Sequence, residues 1–336
     1  MASAAATLIT PSQVYYDKVF LDRAKIELRH DFGAQLRSVP LNSGQVVRFT
    51  RFSPLALVTS ALSEATNPAE TAMTSTNVSA TILEYGAVTN VGSLFSMTQI
   101  DEGLKEHVEV HGQNAGESID RLIRQELASG ATVRVATGAQ STTPVGSDIS
   151  NIMTTDVFSG VEIRKAVRDL KNNKAQKFEN GYYRGIIGPD TAYDLFGDSE
   201  WLDAHRYTTS DAIERGVIGK LHGVEFVETN NQHKDVSAGL SGSPVTATTA
   251  GVVAVYSNFI FGKNAYGIIN LGSITAPMVI VKNPGPNDTS NPLNMFSTVG
   301  WKMPFAVKTL NSTWLINVRT GATGGVSYVA GGGGNN

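Results

Sequence analysis

The sequence predicts an α+β protein, and three features predict it. Residues 98–129 carry a single apolar stripe at helical spacing. Residues 45–52, 78–91 and 298–309 are β-branched, aromatic or alternating runs that read as strands. Between the first two runs lie 25 residues, Ser53 to Asn77, with no period and many Ala, Ser and Thr. A loop of that length is uncommon in a compact domain unless it is functional or disordered. A loop that folds over a neighbouring copy is one physical answer.

The elements follow in order. An amphipathic helix is expected near Ser12 to His30, with Val14, Phe20, Leu21 and Leu28 as its apolar positions, closed by Pro40 and the Asn42-Ser43-Gly44 turn. In 98–129, Ile100, Leu104, Val108, Ala115, Ile119, Leu122, Ile123 and Leu127 form the stripe. Thr98 with Asp101 resembles a capping box. Asp101 and Glu102 at the start and Arg121 and Arg124 near the end suit the helix dipole, and Gly130 ends the helix. At ~1.5 Å per residue it would be roughly 48 Å long, more than a small domain needs. Residues 131–155 read as a polar linker. Helices are expected at Gly160–Asn173, from Pro189, and near Glu200–His205 and Ser210–Arg215. Strands are expected at Tyr182–Ile187, Val224–Glu228 and Val252–Tyr256, with a polar loop from Asn230 to Gly251. In Thr298–Thr309 the odd positions Val299, Trp301, Met303, Phe305 and Val307 are apolar, the mark of a half-buried strand. Pro304 within it implies an edge or a bulge. Asn311-Ser312 then turns into Trp314–Arg319 as a hairpin, and a flexible tail follows.

Composition narrows the function. The chain has 336 residues, 41% hydrophobic, enough for a sizeable core. Charged residues are only 17%, below the ~25% typical of soluble domains. That suits an exterior buried against copies of itself. The net charge of −3 argues against a dedicated nucleic-acid binder, though a container need not grip its contents. With no Cys, disulfides and thiolate metal sites are excluded. The first Lys is Lys18, so no signal peptide is read, and no window approaches a membrane span. A soluble protein made in a cytosol is expected.

Chemistry-bearing motifs are weak. His107 and His111 stand at i, i+4, but Glu109 is misplaced for the zinc-protease pattern and no third ligand is evident. A solvated or interface pair is the expectation. Gly216 to Lys220 lacks the spacing of a phosphate loop, and no Gly-x-Ser-x-Gly elbow exists. Catalytic residues, metals and cofactors are therefore expected to be none.

The ordered set RFSPL (51–55), GYYRGIIGPDTAYDLFGD (181–198), GKLHGVEFVETNN (219–231), AYGIINL (265–271), NPLN (291–294) and TVGWKMPFAVKTLNSTWLI (298–316) resembles the major capsid proteins of tailed phages related to coliphage N4. It spans roughly residues 20–320. The family often has Asp where Asn291 stands, and nothing after Arg319 matches. The resemblance implies the Hong Kong 97-type capsid fold. Residues 1–44 would be an N-terminal arm and 45–92 an extended β-hairpin loop lying on a neighbour. Residues 93–155 would be a peripheral domain whose spine helix is 98–129, and 156–270 an axial domain. Residues 271–322 would be a return hairpin to the peripheral domain, and 323–336 a flexible tail.

The implied function is a shell of hexamers and pentamers around packaged double-stranded DNA in a virion, assembled in the host bacterial cytoplasm. The implied partners are copies of the chain, a portal and a separate scaffolding protein, with room for a cement or decoration protein. No membrane is involved. An encapsulin-like nanocompartment shell is the alternative, and a secreted adhesin or a soluble enzyme are more distant ones. Some shells of this fold cross-link a loop Lys to an Asn, but no Lys lies between Lys25 and Lys105. A non-covalent shell is expected. Arg48 and Arg51, flanking Phe49 and Phe52, are candidate subunit contacts with Glu102, Glu106 and Glu109 of a neighbour, against a merely solvated strand face. Gly112 and Gly116 each cost ~1 kcal/mol inside a helix. They read either as a bend point for shell expansion or as close packing against another backbone.

Overall fold

The computed structural model describes residues 17–24, 28–42, 44–53, 55, 57, 59, 61, 70–94, 103–136, 149, 152–205, 219–235, 241–243, 251–272, 274–282, 293, 295–323 and 326–327. In chain order these form helix α1 (residues 17–24), strands β1 (Gln35–Val39), β2 (Val46–Phe52), β3 (Ser75–Thr81) and β4 (Leu83–Gly92), and the long helix α2 (Gly103–Gly130). Then come β5 (Thr132–Val135), α3 (Gly160–Asn172), β6 (Tyr183–Ile187), α4 (Pro189–Phe196), α5 (Ser199–His205), β7 (Lys220–Leu221), β8 (Val224–Glu228), β9 (Lys234–Asp235), β10 (Ser241–Ser243) and β11 (Gly251–Val253). The chain continues with β12 (Val255–Phe261), β13 (Tyr266–Leu271), β14 (Met278–Lys282), β15 (Phe296–Thr309), β16 (Leu315–Thr320) and β17 (Val326–Ser327).

Strand β15 organises the first sheet. One flank pairs antiparallel with β4 from Phe296↔Gly92 to Phe305↔Leu83. The other pairs with β14 as far as Lys302 and with β13 from Phe305 onward. Strand β1 adds in parallel to β13. Helix α2 lies on the face that carries Val299, Trp301, Met303 and Phe305, so the period-two reading of this strand holds. The α2 stripe, Val108, Ala115, Ile119, Ile123 and Leu127, is buried against it. Each such large apolar side chain contributes on the order of 1.5–3 kcal/mol. Pro304 needs neither an edge nor a bulge. It falls in the two-residue gap between β14 and β13, where that flank has no ladder partner and a missing N–H is tolerated.

The second sheet has order β5-β16-β12-β6-β8-β7, with β9 beside the start of β12. Every residue of β12 is buried because both its faces are covered. Ile260 faces the core of α3, α4 and α5, with Ile163, Leu170, Leu195 and Trp201. Phe259 and Phe261 face the opposite core, shared with α2. Pro189 opens α4 as expected, its fixed φ matching the first helical turn.

Several expectations are corrected. The run 78–91 is two strands, not one. Its first part pairs with β2, and after the buried Ile82 its second part joins β15. The segment read as a linker begins with β5, parallel to β16, and Val133, Val135, Ile149, Ile152 and Val255 form a small apolar cluster. The predicted terminal hairpin does not pair with itself: β15 and β16 enter different sheets. The corner between them is a 3₁₀ turn, Ser312–Trp314, where the Asn311 side chain accepts from the Thr313 N–H. The backbone N–H groups of Leu310 and Asn311 both donate to the Ala265 carbonyl. The polar loop 230–251 contains β9 and β10, and the strand expected at 252–256 is split at Ala254 between β11 and β12, which belong to different sheets. In the tail, Val326 and Ser327 pair with β11. In the arm, residues 28–30 at the end of the expected helix are not helical, residues 12–16 and 25–27 lie outside the described residues, and β1 is unforeseen. Because α2 runs to Gly130, neither Arg121 nor Arg124 lies in its last turn. Thr98, Ile100, Asp101, the helix expected at Ser210–Arg215 and residues 331–336 lie outside the described residues.

Close approach explains Gly112. A Cβ there would stand 2.7 Å from the Phe20 carbonyl oxygen and 3.3 Å from the Phe20 Cα. Helix α1 therefore sits backbone-on-backbone against α2, with the Phe20 side chain buried in the first core. Close packing, one of the two readings of this glycine, is what the geometry shows. Gly112→Ala should destabilise the fold by ~1–3 kcal/mol through overpacking, read as a lowered urea midpoint. An unchanged midpoint would contradict the contact.

Candidate assembly interface

The β2–β3 hairpin pairs from Val46↔Thr81 to Phe52↔Ser75. Its residues alternate, and the alternation changes along its length. At the root, Val47 and Phe49 are buried with Ala80, Ile82, Ile269 and Ala306. Phe49 lies against Gly267, where a Cβ would stand 3.2 Å from its ring, and the Arg37 guanidinium is 5.2 Å from its centroid. Beyond Phe49 every β2 residue is exposed, and Phe52 is 63% exposed. Leu55, Leu57 and Met73 are exposed beside it in sequence. Grouped exposed apolar side chains of this kind mark interaction surfaces.

The predicted contact residues thus divide. Phe49 is taken up inside its own chain. Arg48, Arg51 and Phe52 are exposed. Glu106 and Glu109 are exposed on α2, and Glu102 lies outside the described residues. Among the described residues, neither Arg48 nor Arg51 pairs with Glu106 or Glu109 within the chain. Gly116 is buried in α2 beside Ala115.

His111 is buried rather than solvated. Its Nε2 stands 2.7 Å from Thr89 Oγ1, fastening α2 to β4. Burial, with a smaller contribution from His107, holds its pKa below the ordinary 6.5. Among the described residues no group of three His, Asp or Glu side chains is placed to hold a metal ion.

The arm is positioned by a buried polar junction that the sequence reading missed. Asp120, on the inner face of α2, is fully buried. Its Oδ1 accepts from the backbone N–H groups of Arg29 (2.9 Å) and His30 (2.7 Å). Its Oδ2 is 2.8 Å from His30 Nδ1 and accepts from Asn231 Nδ2 at 2.9 Å. Arg124 donates to the Asn231 side chain at 2.8 Å and to the Gln232 carbonyl. Gln232 Nε2 in turn donates to Asn258 Oδ1 on β12 at 2.9 Å. The Tyr266 hydroxyl donates to the His30 carbonyl at 2.6 Å. One carboxylate therefore joins the arm, α2 and the turn before β9. The signal was present: Asp120 sits between Ile119 and Ile123 on the apolar stripe, and a charged residue there is buried only when paired.

Burial alone would raise the Asp120 pKa. The His30 hydrogen bond and charge, with the two backbone donors, outweigh it and hold the carboxyl below its ordinary 3.8. Asp31, next to His30 in sequence and exposed at the surface, is pushed up by partial desolvation first and by Asp120 second. His233 is lowered chiefly by burial. The two sign arguments agree. His111 and His233 resist protonation when folded, so stability is lost as pH falls below 6.5. Asp120 contributes stability that is present above 3.8 and lost as pH falls through its depressed value. Urea midpoints taken from pH 8 to pH 3 should therefore decline in both ranges, and a midpoint constant from pH 8 to pH 5 would contradict the buried histidines. Asp120→Ala strands His30 and two N–H groups and should cost ~3–5 kcal/mol, measured by the same unfolding curves.

No family model matches the sequence, and no curated protein matches it. Solved structures do. The capsid of cyanophage Pam1 is similar over 96% of this chain and 98% of its own, at 15% identity and a TM-score of 0.63. The Ralstonia phage GP4 capsid is similar over 88% and 92%, at 13% identity and a TM-score of 0.61. The cyanophage P-SCSP1u capsid is similar over 85% and 86%, at 14% identity and a TM-score of 0.59. The likeness runs over 85–96% of this chain. The chain has the Hong Kong 97-type fold of tailed-phage capsid proteins.

Proposed function

We propose that this chain is a major capsid protein of a tailed phage, whose copies form hexamers and pentamers that close into an icosahedral shell around double-stranded DNA. The observation that carries the reading is the two-sided coverage: up to 96% of this chain matches up to 98% of a phage capsid subunit. The match therefore runs over nearly the whole of both chains. Rotational closure of one repeated, heterologous contact makes such rings. The role is structural and non-enzymatic, and its place is the virion, after assembly in the host bacterial cytoplasm with a scaffolding protein and a portal. The motif resemblance supports the N4-like group in particular.

The parts take their roles from this reading. Residues 1–44 are the arm, 45–92 the loop that reaches a neighbour, 93–155 and 271–322 the peripheral domain, and 156–270 the axial domain. Arg48, Arg51 and Phe52 meet the neighbour, with Glu106 and Glu109 as charge partners. A bend of α2 at Gly112 and Gly116 during shell expansion must also shift the seat of α1, since Gly112 lies on the Phe20 backbone. The nanocompartment alternative has weaker support. A virus-like particle from Pyrococcus furiosus matches 92% of this chain at 10% identity, with a TM-score of 0.50.

Electron microscopy of the chain expressed alone and with its scaffold tests the reading. Closed shells are expected, and monomers under every condition would overturn it. Nuclease-protected DNA in virion particles separates the phage shell from an enzyme-holding compartment. Boiled in SDS, purified particles should run as one 35.7 kDa band, because the loop has no amine to cross-link; covalent ladders would refute the non-covalent shell. Arg51→Ala should lower the disassembly temperature of shells while leaving the urea midpoint of the unassembled chain unchanged.

A further inference from the structure

Helix α3 and the turn after it carry a concentration of positive charge. Six of the chain's 27 Lys and Arg fall in the fourteen residues Arg164 to Lys177: Arg164, Lys165, Arg168, Lys171, Lys174 and Lys177. The chain as a whole is at −3, so this is a local reversal of sign. Arg164, Arg168 and Lys171 stand at i, i+4 and i+7 on the exposed face of α3. Their Cα atoms rise by about 6 Å and then about 4.5 Å along the helix. With Asn172 and Val167 they line an open depression of about 380 Å³ whose far wall is His222, at the β7–β8 turn.

The nearby carboxylates do not cancel this charge. Asp169 bridges the buried Arg134 and the exposed Arg168. Glu162 is held by Lys165 and faces Arg134. Glu200 is shared between Arg164 at 2.7 Å and His222 at 2.8 Å. Arg164 and Arg168 thus each share their carboxylate with a second residue, and among the described residues Lys171 forms no ion pair.

We propose that this face of α3 binds the phosphodiester backbone of double-stranded DNA without reading its sequence. Two features favour phosphate over an acidic protein. The exposed side chains are flexible cations, the type that positions phosphates. Among the described residues of α3, Val161 is the one large apolar side chain that is exposed, whereas protein interfaces depend on buried apolar and aromatic anchors. With three or four cations in contact, each copy should bind weakly, in the ~10⁻⁴–10⁻⁶ M range of non-specific contacts. Many copies would hold the polymer by multivalency alone. The inference draws on the shell reading only for the identity of the polyanion.

Fluorescence anisotropy of a labelled duplex of about 20 base pairs, titrated with the unassembled full chain from 25 to 200 mM salt, tests it. The logarithm of the binding constant should fall against log salt with a slope of about −3. Arg168→Ala/Lys171→Ala/Lys174→Ala should weaken binding at least tenfold and flatten the slope by about 2–3, with an unaltered circular dichroism spectrum. Lys282→Ala/Lys302→Ala, which removes cations elsewhere, should leave binding unchanged. Equal losses in both variants, or none in the first, would overturn the proposal. So would poly-glutamate binding the wild type as tightly as duplex, which would point to an acidic protein partner. Shell formation by the triple variant, scored by microscopy, keeps the outcomes apart. Intact shells without a DNA effect sink this inference alone, whereas a wild-type chain that never forms shells sinks the capsid reading and leaves the anisotropy result standing.

Discussion

The buried carboxylate of Asp120 is the constraint from which the arrangement of the chain follows. A charge at a fully buried position is strongly unfavourable unless its lone pairs are filled. Here they are filled by groups from two distant places: residues 29–30, through two backbone N–H groups and the His30 imidazole, and Asn231. Each donor must be present for the site to close. The arm therefore cannot dock in a shifted register, and the turn before β9 cannot slide along α2. A buried pair of this kind adds little net stability compared with apolar packing. Its physical effect is to make one arrangement much better than its neighbours.

Helix α2 extends that fixity to both cores. Its apolar stripe packs on the face of β15, and the same core takes in Phe259 and Phe261 from β12. The other face of β12 belongs to the core of α3, α4 and α5. The two sheets are consequently not independent bodies joined by a linker. They share a core, built on α2 and reached by one face of β12, and the corner at Ser312–Trp314 carries the chain from one to the other. Thr309 anchors that route at the helix end, donating its N–H to Glu126, which also holds Lys308. A displacement imposed on one sheet is felt by the other through α2.

What could be read from the sequence, and what could not, follows from the range of each signal. The α2 stripe and the alternation of β15 are local periodicities, and both were legible. So was the alternation of Val47 and Phe49 with Arg48. Strands β1 and β5 were not, because each is a short parallel strand whose partner is far away in sequence. Gln35 pairs with Gly267, and Thr132 with Ile316. β1 is exposed at most positions, and the alternation of Val133 and Val135 in β5 is only four residues long. The terminal hairpin failed for a related reason. Asn311-Ser312 looks like a tight turn, yet the strands it joins find better partners in two different sheets. The candidate contacts were half legible. Period two predicts that Phe49 and Arg48 face opposite ways, but not which face a second copy covers. Asp120 was visible as an acid on an apolar stripe. Its partners, ninety residues before and one hundred and eleven after, were not.

The β2–β3 hairpin shows why reach and rigidity can coexist in one element. Its root is committed to the chain's own core through Val47, Phe49 and Ala80, so the direction of the hairpin is set before any neighbour arrives. Its outer part holds Arg51 and Phe52 in the open, followed by Leu55 and Leu57. Such side chains gain from burial in any complementary surface and lose that gain when it is removed, so a contact built from them is reversible. The absence of Lys from the whole stretch between Lys25 and Lys105 keeps it so, since no amine is available there to convert a contact into a bond. Reversible contacts let a misplaced subunit leave a growing assembly. Directional roots make the correct placement the one that recurs. On the proposed reading, a chain with both properties would close a shell by repetition of one weak, well-aimed contact, and the strength of the result would reside in the number of copies rather than in any single interface.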